Sequence, residues 1–258
     1  YGENTLRPDG EWRPEVHDSD GLLVHDGATD EWLWRPLNNP AALSMDYFSV
    51  GQVRGFGLLQ RDADFRSYMD AEAGYDTRPS AWVEPEDDWG PGHVVLTQLP
   101  TPDETNDNIV AFWAPESPLQ GKHSYRFDYR VRFGNADLAR EPLARARDSF
   151  LGDGQRVGGG DAEGAVRIIV DFAGGPLDEL DADAPVTSQV AALEDGELLE
   201  HFVEYLPPLQ RWRLSMLVRP ATDRALSVRA LLREGEEALS ETWTYQWLPG
   251  RDILQASR

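Results

Sequence analysis

Residues 123–133, HSYRFDYRVRF, alternate without a break: Tyr125, Phe127, Tyr129, Val131 and Phe133 fall on one side, Arg126, Asp128, Arg130 and Arg132 on the other. Successive side chains of an extended chain point to opposite faces, so this segment reads as an antiparallel strand with one wet face. HVVLTQLP (93–100) and NIVAFWAP (108–115) are short apolar runs between turn residues and read as strands too. After Val166 the spacing becomes regular. VRIIVDF (166–172), RWRLSMLVRP (211–220), ALSVRALLRE (225–234) and ETWTYQWLP (241–249) are each bounded by Gly, Pro or acidic turns. Trp243, Tyr245 and Trp247 share one face of the last run. DGELLEHFVEYL (195–206) fits either a helical turn or a further strand, and DADFRSYMDAEAGY (62–75) is the one helix expected in the first half, a short one. The chain is expected to be all-β.

The 258 residues suffice for one large or two ordinary domains. Residues 135–165 are polar, lack alternation and include the glycine cluster VGGGD, the pattern of a linker. The expected organisation is a β-rich unit over 1–134, a linker over 135–165 and a small β-sandwich over 166–258.

Charge and composition exclude several classes of function. The net charge of −22 repels nucleic acid and anionic membrane surfaces alike. Cysteine is absent, which removes disulfides, thiolate nucleophiles and Cys-based metal sites. No apolar run approaches the roughly 20 residues of a membrane-spanning helix, and no signal peptide is visible, so any export signal is expected upstream of this chain. The five histidines show no metal-ligand spacing. HDSDG (17–21) could hold a cation, but Asp18 and Asp20 equally suit a tight turn at Gly21. GFG (55–57) and VGGGD (157–161) lack the context of phosphate loops, and there is no GxSxG elbow. Neither a metal nor a cofactor is expected.

Carbohydrate chemistry fits better. TPDETNDNIVAFW (101–113) sets Asp103, Glu104 and Asp107 beside an apolar strand that ends in aromatics. Glycoside cleavage needs two carboxyl groups, and candidates near aromatic or Arg neighbours are Asp18, Asp20, Asp62, Asp64, Glu84, Glu104 and Asp107. With 46 acidic residues, most of them solvated or capping turns, composition alone selects no pair. Six of the nine Trp lie in the first 113 residues: Trp12, Trp32, Trp34, Trp82, Trp89 and Trp113. Part of that set must be core. The remainder, with Arg35, Arg61 and Arg78, suits a groove for a polyhydroxylated polymer.

Taken together, YGEN (1–4), WRPEVHDSDG (12–21), EWLWRPLNNP (31–40), GFGLLQRDADF (55–65), RPSAWVEP (78–85), WGPG (89–92), TPDETNDNIVAFW (101–113) and VDFAGGPL (170–177) resemble the osmoregulated periplasmic glucan biosynthesis proteins of the MdoG/OpgG and OpgD type. The resemblance covers nearly the whole chain and matches the C-terminal portion of that family. It implies part of a large antiparallel β-sandwich followed by an immunoglobulin-like β-sandwich. It implies a periplasmic protein acting on β-1,2-linked glucan, either as an anomer-inverting glucanase or as a transglycosylase. The alternative is a non-catalytic glucan-binding scaffold beside a membrane glucosyltransferase. By the same resemblance Asp107 is the general acid and Asp18 the general base. Trp34, Arg35, Gln60, Arg61, Asp62, Trp82, Glu84 and Glu104 cluster in the densest motifs and are expected to line or support the groove. A general acid must keep its proton near neutrality, which burial or a neighbouring carboxylate such as Glu104 would favour.

Overall fold

A computed structural model describes residues 10–247 except 161, 194–195 and 222–224, so the YGEN motif and Leu248–Pro249 of the last expected strand lie outside the described residues. Among the described residues the chain is nearly all β, in several antiparallel sheets and no barrel. It divides into two compact units at 141/142.

The first unit contains β1 (Gly21–Asp26), β2 (Glu31–Pro36), β3 (Ser44–Val50), β4 (Val53–Leu59), β5 (Ser80–Pro85), β6 (Gly92–Gln98), β7 (Ile109–Pro115) and β8 (Tyr129–Gly134). Within it β2-β1-β4-β5-β8 form one sheet and β3-β6-β7 another, all antiparallel. Leu22, Val24, Leu33, Val53 and Phe56 from the first sheet meet Val50, Val94 and Leu96 from the second in one core. Alternate residues supply that core, as a two-layer sandwich requires.

The opposite face of the larger sheet is paved with indoles. Trp32 lies 6.1 Å from Trp82 in a stacked pair, and His25 stacks on Trp32 at 3.9 Å. Flat indoles need missing side chains beneath them. A Cβ on Gly55 would sit 2.2 Å from the Trp82 ring, and one on Gly57 would sit 2.0 Å from the Ala81 carbonyl oxygen. The GFG motif therefore makes room for packing. Gly57→Ala is expected to lower stability by about 1–3 kcal/mol, because backbone rather than a flexible side chain must yield. Chemical denaturation checks it, and an unchanged midpoint would contradict this role.

Three local expectations change. The strand read over 123–133 is ordered as β8 only from Tyr129. Its partner β5 ends at Pro85, opposite Tyr129, and one further backbone bond, from the Glu86 N–H to the Asp128 carbonyl, follows before the pairing stops. The aromatic side of β8 is exposed (Tyr129 55%, Phe133 71%), and so is Arg130 on the other side, where Arg130 and Arg132 pair with Glu86 and Glu84. The helix over 62–75 shrinks to α1 (Phe65–Tyr68) and a 3-10 turn at Tyr75–Thr77. Asp64 caps it, and Met69 closes it in the left-handed region at φ 56°. Asp70 then accepts the amides of Glu72 and Ala73 and starts a separate turn.

The third change falls in 135–165, which contains a 3-10 turn (Ala136–Ala139) and strand β9 (Arg145–Asp153) of the second unit. That unit continues with β10 (Val166–Ala173), β11 (Thr187–Leu193), β12 (Gly196–Leu206), β13 (Arg211–Pro220), β14 (Leu226–Glu234), the two-residue β15 (Glu237–Ala238) and β16 (Thr242–Trp247). Its sheets run β12-β13-β10-β9 and β11-β14-β16, with β15 on β14. The 195–206 ambiguity resolves to the strand β12. Buried Ile168, Val170, Leu214, Met216, Val228, Leu232 and Trp243 fill its interior. The Trp243 Nε1–H donates to Ser149 Oγ across the sandwich at 3.0 Å. β9 escaped notice because its buried positions are small (Ala146, Ser149), and its register slips around Arg147, which breaks the alternation.

The β9–β10 connection carries Gly158–Gly160 after Val157, which is 72% exposed. Limited proteolysis is expected to cut there first. Initial cleavage elsewhere among the described loops would contradict this.

Candidate active site

One end of the first unit gathers the loops that carry the polar motifs. The antiparallel registers Gly21↔Pro36, Gly21↔Leu59 and Gln98↔Ile109 bring the start of β1, the ends of β2 and β4, and the β6–β7 turn to that end. Asn38 N–H donates to Gln98 Oε1 at 3.0 Å, and Asn39 exchanges two hydrogen bonds with the Thr101 backbone at 2.7 and 3.0 Å. The NNP turn thus holds the base of the acidic loop 99–108. Arg35 belongs to the same joint: it is buried and reaches Asp46 of β3 at 3.2 Å.

Asp20 ties the loops of the larger sheet together. Its amide donates to the Leu59 carbonyl and its carbonyl accepts Leu37 N–H. Its Oδ2 accepts the amides of Arg61 and Asp62, the latter at 2.6 Å. Gln60 is buried, and its Nε2 donates to the Tyr68 hydroxyl (2.6 Å) and the Tyr75 carbonyl (3.1 Å). Arg61 lies 3.6 Å over the Trp34 ring and donates to both Glu141 oxygens at 3.0 and 3.1 Å. Trp34, Arg61 and Gln60 are therefore framework beneath the loops. Trp82 is buried in the indole layer, and Glu84 lies further along β5 in a pair with Arg132, away from this end.

Three carboxylates rise above that framework. Asp18 is exposed and pairs with Arg78 at 3.4 Å. Glu104 meets Arg13 Nη2 at 3.0 Å, and Arg13 also grips Glu11 and Asp70. Asp107 is exposed on the same loop as Glu104. That loop is braced at Asp103, whose carboxylate accepts both the amide and the hydroxyl of Thr105 and is held below its usual range by them. The Asp18 and Glu104 sides are both pinned to the segment that carries Tyr75, Asp18 through Arg78 and Glu104 through the Arg13 that also holds Asp70. Burial pushes the Tyr75 phenol up, and the charges of Glu104 and Asp18 push it further. One buried tyrosine thus feels both acidic loops, while the Arg78 guanidinium lies 5.5 Å over its ring.

The structure brings together Asp18, Glu104, Asp62, Gln60 and Arg61, with Asp107 on the Glu104 loop. Arg13, Tyr68, Asp70 and Tyr75 join them without having been singled out in the sequence, as does His17, which the sequence offered only as part of a cation-holding HDSDG turn. Arg13 and His17 lie inside a conspicuous motif, but nothing local shows that their partners come from distant loops. Among the described residues no group of His, Asp and Glu could hold a metal ion.

The fold and the loop end define an all-β protein with a carboxylate-rich, arginine-braced loop surface. The chain belongs to the family described as "Periplasmic glucan biosynthesis protein, MdoG", which it matches over residues 1–247. It is 41% identical over 258 residues to "Glucans biosynthesis protein G" of Serratia proteamaculans, covering 98% of this chain and 49% of that protein. Proteins of the same name from Pseudomonas aeruginosa and Sodalis glossinidius are 42% and 43% identical over 95% of the chain and 48% of their own length. The chain thus spans about half the length of the curated relatives it matches. A glucan-related role follows from the family, which is periplasmic by definition. No helix among the described residues is long and apolar enough to cross a membrane.

Proposed function

We propose that this loop end is the glucan-cleaving site of an anomer-inverting β-1,2-glucanase or transglycosylase, with Asp107 as general acid and Asp18 as general base. The observation that carries this reading is that both acidic loops are pinned to the same segment: Asp18 pairs with Arg78, which lies over the Tyr75 ring, and Glu104 shares Arg13 with Asp70. Inversion needs an acid on one side of the scissile bond and a base that activates water on the other. Two carboxylates on separate loops supply that division of labour. The β1–β2–β4 framework holds one, and the Arg13-braced loop holds the other.

Arg13 fixes the Glu104 end of the acidic loop, leaving the Asp107 end exposed for substrate. A bound glucan would cover Asp107 and bring its carboxyl group within reach of the departing oxygen, as a general acid requires. The β-1,2 linkage rests on the family resemblance, as does a membrane glucosyltransferase as the partner that supplies the chain. The test is reducing-end release from linear β-1,2-glucan by the full-length protein and by Asp18→Asn. The variant should retain glucan binding and lose most turnover. A variant as active as wild type would remove Asp18 from the mechanism.

A further inference from the structure

We infer that Glu15, His17 and Asp20 form a protonated clasp that positions Asp18, so that His17 is a positioning residue whose charge state governs the base loop. This rests on the hydrolase reading above, in that Asp18 is taken as the base.

The geometry is specific. His17 Nε2 lies 2.8 Å from Glu15 Oε2. Its Nδ1 is buried, makes no hydrogen bond and faces Asp20 Oδ1 at 3.5 Å. Both neighbours are carboxylates, which accept only, whereas a neutral imidazole carries one N–H and one bare lone pair. A neutral ring between two ionised carboxylates would turn that lone pair on an oxygen. The cluster therefore needs one further proton, on His17 or on Asp20 Oδ1, for both contacts to be attractive. Asp20 Oδ2 cannot take it without giving up the amides of Arg61 and Asp62.

The other groups facing the ring come from the segment after β4 and from α1. Tyr68 meets it edge-on at 5.2 Å, Gln60 Nε2 donates to the His17 carbonyl at 3.4 Å, and the charge of Asp62 acts on Asp20. Burial lowers the affinity of His17 for its proton, but the Glu15 hydrogen bond and the Asp20 charge outweigh it and leave His17 above its ordinary value. Burial likewise pushes Asp20 up. Both directions keep the proton inside the cluster near neutrality.

The clasp acts on what lies between its jaws. His17 and Asp20 bracket Asp18 and Ser19, and Asp20 is tied to β4 and to the β2 end through Leu59 and Leu37. With both jaws closed, Asp18 sits on a short bridge with fixed ends. Loss of the proton sets a lone pair against a carboxylate, and the bridge loses one anchor. Because His17 is raised in the folded state, its stabilisation is complete below about pH 6.5 and is lost as pH rises through the folded value.

The experiment uses the full-length protein with labelled histidine. The chain has five imidazoles, and the His17→Gln variant identifies the resonance of His17. His17 is expected to titrate above about 6.5, with the Asp20 amide, which donates to the Leu59 carbonyl, losing hydrogen-exchange protection through the same midpoint. Glu15→Gln should lower that midpoint and move the alkaline limb of glucan turnover with it, whereas Glu15→Asp should restore both. His17→Gln should lower turnover roughly ten- to a hundredfold, as loss of positioning does, with KM little changed. A midpoint at or below the ordinary value, or an Asp20 amide indifferent to it, would overturn the clasp. So would an alkaline limb that stays put while the Glu15→Gln midpoint moves. A wild type without turnover would remove the hydrolase reading, and the exchange data would still decide the clasp.

Discussion

Asp107→Asn in the full-length protein is expected to lower turnover of linear β-1,2-glucan on the order of 10²-fold or more, with little change in affinity. The amide keeps nearly the shape of the carboxyl group but has no acidic proton for the departing oxygen. Asp107 is exposed on its loop, and the bracing by Arg13 and Asp103 involves other residues, so the substitution leaves the local structure intact. A structural role would give the opposite pattern, with stability lost and turnover per folded molecule retained. Single-turnover rates and oligosaccharide binding, measured side by side, separate the two.

The second large effect is on stability. Glu141 is fully buried, and both its oxygens accept from the Arg61 guanidinium, whose side chain is 3% exposed and lies against Trp34. Removing one partner of a buried pair leaves a charge where water cannot reach it, at a cost of about 3–5 kcal/mol. Glu141→Ala should therefore lower Tm on the order of 10 °C. Replacing both partners, as Arg61→Met with Glu141→Leu, should recover much of the loss, since two apolar groups of similar volume carry no desolvation cost. Thermal unfolding of the three proteins checks this. A double variant as unstable as Glu141→Ala would mean that Arg61 matters for a reason other than the pair.

The β content was legible because periodicity and turn residues are local. β6, β7, β10, β13, β14 and β16 lie close to where the sequence places them. β9 was hidden by its small buried residues and its register slip, and the length of β8 was set by where its partner strand β5 ends. The same division runs through the candidate site. The acidic motifs are visible in one dimension, and so is the abundance of tryptophan. That Trp34 and Trp82 form a floor, while Arg13, His17 and Tyr75 surround the acidic loops, depends on contacts spanning tens of residues. Glu84 shows the converse: it shares a motif with Trp82, yet its partner is Arg132 on the neighbouring strand.

The most direct test of the central claim is the configuration of the first product. Full-length protein is mixed with linear β-1,2-glucan in an NMR tube, and the anomeric proton of the new reducing end is followed from the first minutes, before mutarotation. Inverting cleavage by an acid and a base on separate loops gives the α-anomer first. Initial release of the β-anomer would contradict the assignment of Asp107 and Asp18 as an inverting pair. Tight glucan binding with no new reducing end and no redistribution of chain lengths would point instead to a scaffold that holds the polymer without cutting it.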